Sequence, residues 1–377
     1  METLTPKFDF DFDERLEYAA TLPARFYFGD KTLEAERDGI FARTWQLAGR
    51  TDQLPEPGGY FTAEAAGEPI LIARDKSGEL LGFYNVCRHR AGRVAEGAGC
   101  RSAFRCTYHG WSYALDGSLM GTPEFDGVEN FDRTKFGLRP VRLETWEQFI
   151  FVNLDHDAPS LAEFFGDLPA QTRQYSIRAM QPAERREYVI ECNWKVYVDN
   201  YLEGYHVPVA HPGLMRELDY VNYRTITHRY HSLQDAPLKK NASGNDRIYP
   251  STGDGPEALY YWVFPNLMLN IYPDNISTNL IMPLDDHRTL TIFEWYFHNA
   301  ETDAVKAKIA RSVAFSDEIQ QEDIYLCQSV QKGLRSRSYD RGRYSVRREN
   351  GVHHFHSLWR EFMVTRKARR CRPPSVI

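Results

Sequence analysis

Cys87-Arg88-His89 and Cys106-Thr107-Tyr108-His109, the second running on into Gly110-Trp111, each place one thiol beside one imidazole. Two such segments offer four ligands to one centre from two loops. Thiolates mixed with imidazoles suit zinc or an iron–sulfur cluster, and not the oxygen-loving calcium or magnesium. A Cys₂His₂ zinc site usually keeps cysteine with cysteine and histidine with histidine. Here both pairs are mixed, which suits a [2Fe–2S] centre in which two cysteines hold one iron and two histidines the other. Neutral imidazoles in place of thiolates lower the negative charge of such a cluster and raise its potential. Zinc stands as the alternative.

Outward from these loops, short apolar runs alternate with Gly, Pro and Asp. Pro69-Ile70-Leu71-Ile72-Ala73, Leu81 to Asn85 and Phe149 to Asn153 predict a small all-β domain over residues 46–155. The ligand pairs follow a strand at Phe83 to Val86 and sit near Phe104, hence on two loops. Before this domain, residues 31–45 read as an amphipathic helix with Leu33, Ile40, Phe41 and Trp45 near one face. That helix belongs to an N-terminal segment, 1–45, expected to pack on the second domain. Residues 155–185 form a connection with a short helix.

From 156 to 377 the pattern predicts an α+β domain. A strand at Arg186 to Ile190 precedes a helix from Asn193 to His206. Strands follow at Leu259 to Pro265, Met268 to Tyr272, Thr278 to Pro283 and Thr289 to Phe297. A long helix from Thr302 to Gly333 comes next, with Gly333 as its stop. The chain has 377 residues and a net charge of −6, so nothing global points to nucleic acid or an anionic membrane. No apolar run reaches the ~20 residues of a membrane span. The acidic start lacks a signal peptide's basic and apolar regions, and Cys100, Cys192, Cys327 and Cys371 show no disulfide-like spacing. A reducing cytoplasm is the expected compartment.

A second constellation lies in Asn193 to His211. On a continuous helix Asp199, Glu203 and His206 would share one face. Pro208 and Pro212 break the helix between His206 and His211, letting the two imidazoles turn toward one point. In the long helix Asp323 keeps step with Ile319, Leu326, Cys327 and Val330, an apolar stripe where an unpartnered carboxylate is costly. Glu322 falls on a more solvent-like face. Two histidines and one carboxylate, His206, His211 and Asp323, form the facial triad of non-haem Fe(II) oxygenases. A structural Asp323, capping or bridging another polar group, is the alternative.

Cluster loops, then Glu203-Gly-Tyr-His206 with His211, then Glu322-Asp323 on a late helix, resemble the oxygenase (alpha) component of Rieske non-haem iron oxygenases across nearly the whole chain. Cys192-Asn-Trp-Lys-Val, Asp199-Asn-Tyr-Leu, Tyr205-His-Val-Pro, Gln321-Glu-Asp-Ile, Tyr339-Asp-Arg-Gly-Arg-Tyr and His353-His-Phe-His356 resemble the choline monooxygenase and carnitine oxygenase branch. The resemblance implies a Rieske domain followed by a helix-grip, START-like catalytic domain with an antiparallel sheet and a long C-terminal helix. It implies a Rieske [2Fe–2S] cluster on Cys87, His89, Cys106 and His109, and mononuclear Fe(II). It also implies O₂ as co-substrate and NAD(P)H acting through a flavin/iron–sulfur reductase. A head-to-tail homotrimer follows, in which Glu203 bridges His206 and a neighbour's cluster histidine, His109. Glu203 is Asp in ring-hydroxylating dioxygenases and Glu in carnitine oxygenases. Asp199 orients its helix or relays protons, or is a plain helix-face carboxylate.

Aromatics make up 14% of the chain, enough to build a pocket for a cation that cannot donate hydrogen bonds. Tyr260, Trp262 and Phe264 on one strand face, with Tyr205 beside the histidines, are the candidate contacts for a quaternary or tertiary amine. Oxidation of an aromatic ring is the competing reading. A Rieske electron carrier fused to a non-catalytic binding domain is a third. The basic run Arg335 to Arg348 reads as a reductase dock or, more simply, a solvated or interface surface. His353, His354 and His356 read as structural.

Overall fold

The computed structural model describes residues 8–239, 258–272 and 274–365, so Cys371 lies outside the described residues. Two compact units emerge. One holds the chain up to Glu36 with everything described from Phe165 onward, and the other is Arg37–Phe164.

The smaller unit is built on a seven-stranded antiparallel sheet. Phe149–Asn153 lies between Gln46–Arg50 and Pro140–Trp146 and is buried at every position, hence the apolar run Phe149 to Val152 before Asn153. Glu68–Arg74 shows what strand alternation does. Ile70 and Ile72 face a cluster with Val141, Ile150 and Val152, while Leu71 and Ala73 face another containing Cys87, Cys106, Trp111 and Tyr113. The second face is therefore the bed on which both cysteine loops rest. A small three-stranded sheet, Phe104–Arg105, Ser112–Tyr113 and Leu119–Gly121, carries the second loop in its first hairpin.

The larger unit has its own seven-stranded antiparallel sheet. Its strands Gln181–Ile190, Leu259–Val263, Leu267–Tyr272, Asn275–Pro283 and Thr289–Phe297 lie where the apolar runs placed them, with shifted ends. Two further strands, Arg224–Thr227 and His231–Asp235, complete the sheet. They were invisible in sequence because each is short, polar and without apolar alternation. The long helix is Asp303–Leu334, followed by Asn350–Arg360. The expected α+β class, a small β unit followed by an antiparallel sheet with a long helix, is thus what the chain forms. No helix among the described residues is long and apolar enough to cross a membrane.

Near the N-terminus the helix is Asp30–Gly39, continued by a 3₁₀ turn at Phe41–Arg43, and Leu33, Ile40, Phe41 and Trp45 are all buried. Glu36 on this helix is fully buried and accepts hydrogen bonds from Lys195 Nζ (2.7 Å), Trp194 Nε1 (2.8 Å) and Trp359 Nε1 (2.7 Å). It is the common anchor of three segments far apart in sequence. Removing one member of a buried ion pair strands the other charge, at a cost of roughly 3–5 kcal/mol. Glu36→Ala should therefore lower the thermal midpoint strongly, whereas an unchanged melt would show that Lys195 finds another partner.

The helix expected from Asn193 to His206 is shorter, Trp194–Tyr201, capped by the Asn193 side chain on the Lys195 N–H. Asp199, Glu203 and His206 consequently do not share a helical face. Glu203 turns the chain instead, its carboxylate accepting from the backbone N–H groups of Tyr205 and His206. Gly204 is required there, since a Cβ would stand 2.8 Å from the Tyr223 ring. The stripe assigned to Asp323 also ends early, because Val330 is exposed while Cys327 is buried.

Candidate active site

The two cysteine loops share one hydrogen-bond plan. Cys87 N–H donates to the Gly92 carbonyl (2.7 Å) and Cys106 N–H to the Trp111 carbonyl (2.9 Å), both five residues on. The carbonyls of Cys87 and Cys106 accept from Ala91 and Gly110, which both take positive φ to close the loop. Cys87 and Cys106 are each 3% exposed, whereas His109 is exposed and His89 intermediate. The thiols thus form the floor of the site and the imidazoles its rim.

Several observations fit an iron–sulfur cluster between them. The His89 and His109 rings approach to 4.6 Å between centroids, and His89 Nδ1 is buried without a partner among the described residues. A Cβ at Gly92 would stand 3.0 Å from Cys106 Sγ, so glycine keeps room beside the sulfur. The Tyr113 hydroxyl lies 3.2 Å from Cys87 Sγ and accepts from the Arg88 N–H at 2.9 Å. Burial with His109 nearby holds His89 down, toward the neutral imidazole that binds a metal. Burial pushes the Cys87 thiol up, which by itself disfavours the thiolate, so a metal is what would hold that form. Trp111 stacks on His89 at 5.0 Å and fixes its plane.

In the larger unit His206 precedes the short helix Val207–Ala210, and His211 is the joint between it and Pro212–Glu217. The helix before these histidines has already ended at Tyr201 and Pro208 sits in the first turn of Val207–Ala210, so only Pro212 marks a break, at the His211 joint. The two imidazoles nonetheless meet, Nε2 to Nε2, at 3.1 Å. Asp323 Oδ1 lies 3.0 Å from His211 Nε2 and 3.8 Å from His206 Nε2. The tautomers follow from the outer partners. Glu203 Oε1 accepts from His206 Nδ1 at 2.6 Å, and Glu322 Oε2 accepts from His211 Nδ1 at 2.6 Å. Both Nε2 lone pairs, unprotonated, then face each other and a carboxylate oxygen. Such an arrangement repels itself unless a cation sits at its centre, and ligands ~2.1 Å from one ion at right angles lie about 3 Å apart. Burial opposes a proton on His211, but Asp323 and Glu322 outweigh it and raise its pKa, a further sign of surplus negative charge.

Glu322 and Asn200 are contributors that sequence reading missed. Glu322 was assigned to solvent, yet it holds the His211 ring, while Asn200 Nδ2 donates to Asp323 Oδ1 at 2.7 Å. Adjacent acids on a helix are ~100° apart, and His211 fits between them. Asp199 turns away from this group. It accepts from the Tyr27 hydroxyl (2.5 Å) and pairs with His356 Nε2 (3.0 Å), and Tyr344 completes the cluster on His356 Nδ1 (2.6 Å). His353 meets the Asp13 carbonyl, and Arg343 and Arg348 bind backbone carbonyls of this chain, not solvent alone.

The triad opens on a cavity of about 880 Å³, counting its mouth. One cross-strand row forms much of its floor: Gln234, Tyr260, Asn270, Ser277 and Trp295 stand opposite one another on consecutive strands. Tyr223, Tyr272 and Phe293 add aromatic wall. Of the four proposed substrate contacts only Tyr260 lines this space. Trp262 shares its face but lies under the helix Asn350–Arg360, packed on Phe355 at 5.4 Å. Phe264 lies beyond the strand end, buried against Phe362. Tyr205 is 58% exposed, because the Glu203 turn points it outward.

Residues 44–132 match the Rieske [2Fe-2S] domain, and residues 177–365 match the ring hydroxylating alpha subunit catalytic domain. Choline monooxygenase from Arabidopsis thaliana is 37% identical over 93% of this chain and 84% of its own. The carnitine monooxygenase oxygenase subunit of Escherichia coli K12 is 34% identical over 95% and 98%. A solved quaternary ammonium Rieske monooxygenase in complex with L-carnitine superposes with a TM-score of 0.80 at 31% identity, covering 94% of this chain and 98% of that one. The chain belongs to the Rieske non-haem iron oxygenases, as a monooxygenase with a [2Fe–2S] cluster and a mononuclear iron that uses O₂. Family membership excludes both the zinc site and the non-catalytic electron carrier.

Proposed function

We propose that this protein hydroxylates a carbon on or near the nitrogen of a small quaternary or tertiary amine, of the choline, betaine or carnitine kind. Cys87, His89, Cys106 and His109 hold the cluster, and His206, His211 and Asp323 hold the iron. The observation that carries the reading is the aromatic wall beside the triad, since a quaternary ammonium is held by ring faces and not by hydrogen bonds. When bound, the iron supplies the site at which O₂ is reduced and oxygen is delivered to the C–H bond. The balance is one C–H bond, O₂, two electrons and two protons to one C–OH and water.

The chain's own residues set the conditions. Glu203 and Glu322 fix the two imidazole planes through Nδ1, and Asn200 fixes the Asp323 carboxylate. Tyr223, Tyr260, Tyr272 and Trp295 orient the cation and keep bulk water from it. Electrons reach the protein from a flavin/iron–sulfur reductase, and Glu203 links the iron to the cluster of the next subunit in a homotrimer.

Oxidation of an N-methyl carbon gives a hemiaminal that releases formaldehyde, while choline is oxidised at its alcohol carbon. Turnover on a panel of choline, betaines, carnitine and simple arenes should give amine-derived products. Tyr260→Ala and Trp295→Ala should each weaken amine binding by roughly 0.5–2 kcal/mol with the irons retained. A neutral isostere with carbon for nitrogen should lose a similar amount. Equal affinity for the isostere, or dihydrodiols from an arene, would transfer the case to ring oxidation.

A further inference from the structure

The turn between Arg224–Thr227 and His231–Asp235 carries a histidine at each end. His228 donates its backbone N–H to the His231 carbonyl at 2.8 Å, which closes the turn and brings the two imidazoles to 4.3 Å between centroids. A carboxylate from a distant segment joins them. Asp167, just before the short helix Leu168–Thr172, holds Oδ1 3.1 Å from His231 Nε2 and 3.3 Å from His228 Nδ1. Its Oδ2 accepts from Gln171 Nε2 at 2.6 Å, and Gln171 Oε1 accepts in turn from the Tyr261 hydroxyl at 2.5 Å. All these residues belong to the larger unit, yet they are separate from the iron triad. Strand alternation puts His231 on the sheet face opposite Gln234 and Tyr260, the pair that lines the cavity.

The distances are those of hydrogen bonds, but the bonds are not made. The His231 side chain is 2% exposed, and its Nε2 has no partner among the described residues, because the Asp167 oxygen does not lie along the N–H direction. His228 Nε2 is buried and unpartnered as well. Nor is this an imidazolium–carboxylate ion pair. Burial, with His228 beside it, holds His231 down to about 4, so its ring is neutral near pH 7. Neutral imidazoles with one carboxylate oxygen are a donor set for zinc and its neighbours in the first transition row. Donors ~2.1 Å from one such ion lie about 3.0–3.4 Å apart, as Asp167 does from both rings and as Asp323 does from His211, at 3.0 Å. The rings are stacked within 6°, so one must turn before both lone pairs reach the same point. His228 is the ring with room to do so, its side chain being 24% exposed.

We propose that Asp167, His228 and His231 form a second metal site, which takes a zinc-class divalent cation and clasps the turn at 228–231 to the start of the helix Leu168–Thr172. Three protein donors leave a fourth tetrahedral position for water, on the side of the half-exposed Asp167. Gln171, itself held by Tyr261, fixes the carboxylate of Asp167 as Asn200 fixes that of Asp323. The role is structural, and it holds whether or not the substrate is an amine.

The test dialyses the untagged, iron-loaded holoenzyme anaerobically against Zn²⁺, then measures zinc, iron and sulfide per chain and the melt by calorimetry. The parent should take up about one zinc per chain while keeping all its irons, and zinc should raise its melting midpoint. His231→Ala, His228→Gln and Asp167→Asn should each weaken that zinc by more than about tenfold and lose the thermal gain. Irons, cluster spectrum and turnover should stay as in the parent. His228→Gln and Asp167→Asn change side chains that reach solvent, so they keep the test open if His231→Ala does not fold. No zinc bound by the parent, or zinc held equally by the variants, overturns the site. Zinc gained only as iron is lost belongs to the triad and overturns it too.

Discussion

His206→Ala should lose the mononuclear iron and more than a hundredfold of turnover, while keeping the visible spectrum of the cluster. The parent should carry about three irons and two labile sulfides per chain, and the variant about two irons with the same sulfide. The selectivity follows from geometry. His206 contributes one of three donor atoms that face a common point, and none of its partners belongs to the cysteine loops. Without it His211 and Asp323 remain 3.0 Å apart, an ordinary imidazole–carboxylate pair that shares a proton and no longer needs a metal. Metal analysis with visible and EPR spectra separates the possibilities. Simultaneous loss of cluster and mononuclear iron would mean that the ligand sets have been misassigned.

How much of this could be read from the sequence depended on whether an element's chemistry is local. The cluster loops are local: each holds its ligands within one turn, and their mixed pairing distinguishes them from a zinc finger. The imidazole pair was half legible: Pro212 marks the joint at His211, but the preceding helix had already ended at Tyr201 and Pro208 lies inside Val207–Ala210. Asp323, picked over Glu322 for its place on the stripe, has its carboxylate toward both Nε2 atoms, yet the contact of Glu322 was lost, since a helix stripe does not show that a histidine lodges between two faces. The pocket was the least legible part. Alternation gave the right face of Leu259–Val263, but only the register shows that Tyr260 stands in a row with Asn270, Ser277 and Trp295. Nothing local reveals that a helix some ninety residues later covers Trp262. Asp199 was misplaced for a similar reason. Its partners Tyr27 and His356, the latter held in turn by Tyr344, come from the two ends of the chain.

Glu203→Gln should leave both metal centres bound and slow the passage of electrons between them by more than tenfold. Glu203 is not a donor to the triad. Its Oε1 accepts from His206 Nδ1–H, and its Oε2 accepts from the backbone N–H groups of Tyr205 and His206. A carboxylate can serve all three donors because both oxygens accept. A glutamine amide cannot. With its carbonyl on His206 its NH₂ faces two backbone donors, and flipped it meets the imidazole N–H. Either choice loosens the turn and removes the negative charge that makes His206 a stronger ligand. Mixing the reduced protein with O₂ and substrate in a single turnover should show the cluster oxidising slowly while its own spectrum stays unchanged. Glu203→Asp retains charge and both acceptors on a shorter arm, so it should recover part of the rate. Cluster oxidation at the parent rate in Glu203→Gln would remove Glu203 from the electron path and leave it only the task of shaping the turn.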